Sequence, residues 1–184
     1  MKISEAQLID GCCKGDRTLQ RELYQRYSAS MLMVCMRYCK SRSDAEDILQ
    51  DAFIKVFKNI KNFKKQSTLG YWIKKIVVNT ALNFQRGKLY LFPMLELDDA
   101  TNTTLADQAI SNCSLEELLG MIQTLPVGCQ VIFNLYAIEG YNHREIAEML
   151  EISDGTSKSQ YARARTILRQ LVSKANNINY EKYQ

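Results

Sequence analysis

Trp72, Lys75, Asn79, Asn83 and Arg86 recur at three- and four-residue steps, which places them on one face of a helix. The chemistry open to such a face is non-covalent. An indole stacks on a base, amides bond base edges and cations neutralise phosphates, a combination suited to unpaired nucleobases more than to an intact duplex. The opposite stripe, Ile73, Val77, Thr80 and Phe84, is expected to be core. Just ahead, Phe63, Lys64, Lys65 and Ser67 supply a ring, two cations and a hydroxyl from a loop. For this helix alone a plainer account serves equally well: Trp72 closes the core and the lysines solvate the outside.

A second constellation lies near the C-terminus, in "NHREIAEMLEISDGTSKSQYARARTILRQL", residues 142–171. Asn142 caps a short helix with Glu145 three residues on, and Ile146, Ala147 and Leu150 face inward. After a brief turn a second helix follows, with Ile152 before it and Tyr161, Ala164 and Leu168 packing back on the first. This is the helix-turn-helix pattern, whose second helix enters the major groove. Small residues at its start, Gly155, Thr156 and Ser157, let phosphates approach its positive end. Thr156, Lys158, Ser159, Arg163 and Arg165 then offer hydroxyls and cations to base edges and phosphates, with Arg169 farther along. A helical hairpin with a solvated basic face explains the cations, but not the absence of acids from that face.

Charge is segregated along the chain. Residues 52–88 hold nine Lys or Arg and no acid, residues 89–143 hold seven Asp or Glu and no Lys or Arg, and residues 155–174 hold five basic and no acidic side chains. Two cationic blocks around an anionic one point to two surfaces for a polyanion, joined by a segment that avoids it. Cys35 and Cys39 share a helix face as metal ligands do. They sit among Met31, Met33, Val34 and Met36, however, and His143, the single histidine, is far away in the chain. We therefore expect core cysteines, no metal and no cofactor. With no phosphate loop and no paired nucleophile and base, an enzyme is not expected. The N-terminus lacks the apolar run of an export signal, which predicts a soluble protein that stays inside the cell.

The elements that must position these groups all carry helical spacing; no stretch alternates convincingly. Leu8, Leu19, Leu23, Tyr27, Met31, Val34 and Tyr38 form one pattern. Ser43 or Asp44 is expected to cap the next helix, whose apolar face is Ile48, Phe53 (or Ala52), Val56 and Ile60. Ser67 or Thr68 caps a helix to about residue 86. Residues 93–113, polar and without periodicity, read as a linker. Ser114 and Glu117 form a capping box, and helices follow at about 115–124, 127–139, 143–150 and 154–173. The fold class is all-α, two small helical domains joined by an acidic flexible linker.

In this order, "DAEDILQDAFIKVFKNI", "STLGYWIKKIVVNTALNFQRGK" and "EIAEMLEISDGTSKSQYARAR" resemble a bacterial RNA polymerase sigma factor of the extracytoplasmic-function group of the sigma-70 family. The resemblance spans roughly residues 5–173. It implies region 2 over 1–90, a linker over 91–113, region 4 over 114–175 and a tail over 176–184. It also implies that Asp47, Gln50 and Asp51, with Phe53, Ile54 or Phe57 as apolar anchors, dock on core RNA polymerase. Phe63, Lys64, Lys65, Ser67, Trp72, Lys75, Asn79, Asn83 and Arg86 then read and melt the minus-ten element, Asn79 helping to hold a flipped base. Thr156, Lys158, Ser159, Arg163 and Arg165 read the minus-thirty-five element as duplex. The implied partners are core polymerase, promoter DNA as duplex and melted strand, and an anti-sigma protein associated with the membrane. No small-molecule substrate is implied, and the polymerase supplies the catalysis. The implied location is cytoplasmic, at the nucleoid or held at the inner membrane by the anti-sigma protein. Asn83 stands where many relatives carry Asp, and Ala162 where many carry a larger side chain. The rival is a stand-alone helix-turn-helix regulator, which would bind duplex alone and ignore polymerase; a helical adaptor leaves both cationic blocks unexplained.

Overall fold

The computed structural model describes residues 3–89 and 115–181, all in helices and the turns between them. The backbone divides into two units, Met1–Gly87 and Lys88–Gln184. The expected linker lies outside the described residues, as does Ser114 of the expected capping box.

The first unit holds α1 (Glu5–Lys14), α2 (Arg17–Met36), α3 (Arg42–Asn59), a 3-10 turn (Ile60–Asn62) and α4 (Leu69–Leu89). Ser4 and Gln7 close a capping box at the start of α1, and Gly15, at φ 80°, ends it in the left-handed region that glycine enters freely. Asp16 then caps α2 by accepting from Thr18 and Leu19. The turn is so tight that Gly11 lies against Leu19: a Cβ there would come within 2.9 Å of the Leu19 Cβ. What reads as one periodic stretch from Leu8 to Tyr38 is thus two helices and the turn after them.

Ser41, not Ser43 or Asp44, caps α3; its hydroxyl accepts from the Asp44 amide at 3.0 Å, so Asp44 sits within the first turn. The expected apolar face of α3 is buried, and Phe53 and Ala52 both belong to it. Leu69, Ile73, Val77 and Ala81 of α4 complete the core with Leu8, Leu23, Cys35 and Tyr38. Phe84, expected in the core, is 37% exposed. Gln85 takes the inner position, and its side-chain amide donates to the Tyr38 carbonyl. That carbonyl lies just past the end of α2 in a buried environment, where a polar donor satisfies it and a phenyl ring does not.

The second unit holds α5 (Leu115–Thr124), α6 (Val127–Phe133) running into a π-helical turn (Asn134–Ile138), α7 (His143–Leu150) and α8 (Asp154–Glu181). Ile122, Leu125 and Cys129 pack with Ala164 and Leu168 of α8. Ala164 and Leu168 therefore pack on α5 and α6, rather than on the helix that precedes α8. Asn142 and Glu145 form the expected capping box on α7. Glu151 ends α7 at φ 58°, ψ 45°, a left-handed conformation unusual for a side chain of its size. α8 runs to Glu181, beyond the expected end near 173, because no Gly or Pro interrupts it after Gly155.

Candidate nucleic-acid interface

α4 begins where Thr68 accepts from the Tyr71 amide at 3.3 Å. Its first turn carries no acid, so the positive end of the helix dipole is unopposed beside Lys64 and Lys65. In the loop, Phe63 is half-buried and packs on Trp72, with ring centroids 5.3 Å apart. Lys64, Lys65 and Ser67 are exposed, and Lys65 adopts φ 56°. Along the helix Lys75, Asn79, Asn83 and Arg86 are exposed and Trp72 is half-buried, so these five do share an outer face. Trp72 packs on Phe63 and is partly open to solvent. Sequence reading missed Tyr71, which is 57% exposed. Its signal was its place four residues before Lys75 on the same stripe.

Thr80, buried on the inner side, donates to the Ile76 carbonyl at 2.8 Å and accepts from the Lys55 ammonium at 3.1 Å. Lys55 is thereby tied to the flank of α4. On α3 the outward stripe is Asp47, Gln50, Asp51 and Ile54, the last 50% exposed. Phe53 corrects the expectation of an apolar anchor: it is 2% exposed and packs edge-on to Tyr24 at 4.8 Å. Phe57 is half-buried beside it, at 6.0 Å between centroids. A shallow groove of about 240 Å³ runs between α2 and α3, lined by Tyr24, Leu32, Leu49 and Gln50 among others.

In the second unit, Ser153 caps α8 by accepting from the Thr156 amide at 2.9 Å, and its hydroxyl meets that of Thr156 at 2.8 Å. Thr156, Ser159 and Arg163 form one half-exposed stripe, and Lys158 and Arg165, seven residues apart, form another that is exposed. Lys158 pairs with Asp154, and Arg165 lies 5.9 Å from the centre of the Tyr161 ring. Ser157 is a correction. It is buried at 0% exposure, its hydroxyl is bonded to His143 Nδ1 at 2.9 Å, and it is closed to phosphate. Burial lowers the His143 pKa below its ordinary 6.5, with Asp154 opposing and Lys158 adding to the shift. Cys35 and Cys39 are core residues; burial pushes the Cys35 thiol up to about 12, which suits an inert side chain. No group of three His, Cys, Asp or Glu side chains able to hold a metal occurs among the described residues.

The sequence profile of "Sigma-70 region 2" matches residues 23–88, and that of "Sigma-70, region 4" matches residues 115–168. The chain is a sigma factor of the sigma-70 family, extracytoplasmic-function group. The ECF RNA polymerase sigma-E factor of Haemophilus influenzae is 28% identical to it, over 91% of this chain and 94% of that one. The ECF RNA polymerase sigma factor SigM of Mycobacterium tuberculosis is also 28% identical, over 94% and 87%. The fold is shared with the sigma factor RpoE of Bartonella quintana, solved with the anti-sigma factor NepR (TM-score 0.51, 19% identity, 83% of this chain and 96% of that one). This sigma factor directs RNA polymerase to promoters and is not an enzyme, which decides against the stand-alone regulator. Region 2 accounts for α2 to α4 and region 4 for α5 to α8; α1 precedes the matched span. No helix among the described residues is long and apolar enough to cross a membrane.

Proposed function

We propose that the two basic faces divide promoter recognition between them. The outer face of α4 and the loop before it hold the melted minus-ten strand. Trp72, Phe63 and the exposed Tyr71 provide stacking surfaces, Asn79 and Asn83 bond base edges, and Lys64, Lys65, Lys75 and Arg86 neutralise phosphates. Ser67 adds a hydroxyl from the loop. Each extruded base costs roughly a few kcal/mol of stacking, which these contacts offset. The outward stripes of α8, Thr156, Ser159 and Arg163 with Lys158 and Arg165, lie against the minus-thirty-five duplex. Asp47, Gln50, Asp51 and Ile54 of α3, with Phe57 at their edge, dock on a basic surface of core polymerase. Residues 1–90 thus serve polymerase binding and strand opening, and 114–175 upstream duplex reading. The acidic stretch between them avoids DNA and suits a path built for RNA.

The observation that carries this reading is the exposed, acid-free stripe of α4, in which aromatic, amide and cationic side chains alternate beside a cationic loop. A solvated face would mix the signs of its charges, whereas this one excludes every carboxylate. An anti-sigma protein is the expected regulator, as the NepR complex of the Bartonella quintana relative suggests, and the working location is the cytoplasm. Run-off transcription with core polymerase and genomic fragments tests the assignment. Discrete transcripts that depend on this protein and are lost in W72A and N79A support it. Transcripts that survive both substitutions would place strand opening elsewhere.

A further inference from the structure

The chain's single histidine is held in a setting that the DNA contacts do not explain. His143 is the first residue of α7, and Ser157 is the fourth residue of α8. Their hydrogen bond, 2.9 Å from Nδ1 to the hydroxyl, joins the first turns of the two helices of the helix-turn-helix. The imidazole is itself clamped. Tyr136, from the π-helical turn, stacks on it at 4.3 Å and 15° between planes, and Tyr161 meets it edge-on at 5.7 Å. π-helical turns re-aim a side chain that a regular helix would place elsewhere. Here the turn carries the ring that covers His143. One helical turn along α8, a second polar bond faces the same interior: the Cys129 thiol donates to the buried Gln160 side chain at 3.0 Å.

Apolar packing alone tolerates small rotations of a helix about its own axis, because dispersion contacts are not directional. A short bond between a clamped ring and a buried hydroxyl is directional. We infer that His143 is a positioning residue: through Ser157 it sets the rotation of α8 and thereby which side chains of that helix meet which base pairs. The inference rests on the reading of α8 as the duplex-facing helix. It predicts a loss of discrimination between sequences, rather than a uniform loss of affinity.

The test uses holoenzyme assembled from the full chain and bacterial core RNA polymerase, with selection from duplex DNA randomised across the upstream element. H143F keeps a ring but removes the nitrogen, S157A removes the hydroxyl, and H143N keeps a polar group near the Nδ1 position without the ring. H143F and S157A each reduce the preference for the best sequence over single mismatches by about two- to tenfold, the worth of one ordinary hydrogen bond. The double variant loses no more than the worse single one, and H143N recovers part of the preference. A merely structural role lowers the folded fraction and scales all sequences alike, leaving the ratios at wild-type values. Wild-type ratios in folded H143F and S157A overturn the inference while leaving the duplex face intact. R163A serves as the separate check on that face: if it too leaves affinity and preference unchanged, the reading of α8 fails and the inference falls with it.

Discussion

Glu151 ends the first helix of the helix-turn-helix at φ 58°, ψ 45°, with its amide donating to the Ala147 carbonyl. For an L-residue this left-handed conformation costs roughly 1–2 kcal/mol, because Cβ crowds the adjoining carbonyl. Glycine avoids that cost but loses more backbone freedom on folding, roughly 0.5–1 kcal/mol relative to Ala. The balance for E151G is a gain of about 1 kcal/mol. In a unit of this size that corresponds to a rise of about 4–8 °C in the melting temperature. E151A is the control, since it removes the same carboxylate while keeping Cβ. Thermal unfolding of the full chain followed by circular dichroism reads both variants. The expected order is E151G above wild type, with E151A within about 0.5 kcal/mol of it. If E151A gains as much as E151G, the carboxylate and not the backbone is the source. If E151G loses stability, the turn is not strained.

Gly11→Ala places a methyl against the Leu19 side chain, at 2.9 Å from its Cβ, and is expected to cost the first unit about 1–3 kcal/mol, read as a lower urea midpoint. His143 is held below its ordinary pKa of 6.5 by burial, so the neutral form is favoured by folding. Its contribution is present above the unfolded pKa and is lost as pH falls through the lower folded value. The melting temperature of wild type should therefore fall more than that of H143Q between about pH 7.5 and pH 5; parallel curves would show that His143 does not titrate across folding. Lys158→Ala removes one exposed cation from the face of α8 proposed to meet the duplex. It should weaken binding similarly for all sequences and reduce the salt slope by about 1. An unchanged slope would mean that Lys158 stays paired to Asp154 on DNA.

The helices and two of their caps, Thr68 and Asn142, were legible because apolar spacing and side-chain caps are local. Asn142 with Glu145 is the clearest case, both partners lying within one turn. What escaped were bonds between distant residues. Gln85 replaces Phe84 in the core only because the Tyr38 carbonyl, 47 residues away, needs a donor. Ser157 looks like a phosphate ligand until His143, 14 residues earlier, is seen to occupy its hydroxyl. Phe53 was assigned two roles that cannot coexist, and the Tyr24 ring against it decides for the core. The cap of α3 was misplaced for a more local reason: Ser41 and Ser43 both precede acids, and only backbone geometry separates them. Tyr71 shares the face of Lys75 by its four-residue spacing, but its exposure follows only from how α4 rotates against the core.

Lys65 poses the same backbone question as Glu151 with the opposite functional consequence. At φ 56° it too adopts the left-handed region, in the exposed loop that leads into α4. Lys65→Gly relieves the same crowding, so the first unit should gain about 1 kcal/mol, as the second does in E151G. The substitution also removes a cation from the loop assigned to the melted strand. One lost phosphate contact on single-stranded DNA lowers the salt slope by about 0.7. The expected result is a protein that melts higher yet opens promoters less well, read by thermal unfolding and by open-complex formation with core polymerase at several salt concentrations. Higher stability with unaltered opening would mean that Lys65 lies away from the DNA path; lower stability would refute the strain. Where both changes appear, the loop retains a strained lysine because its charge serves a contact made only in the promoter complex.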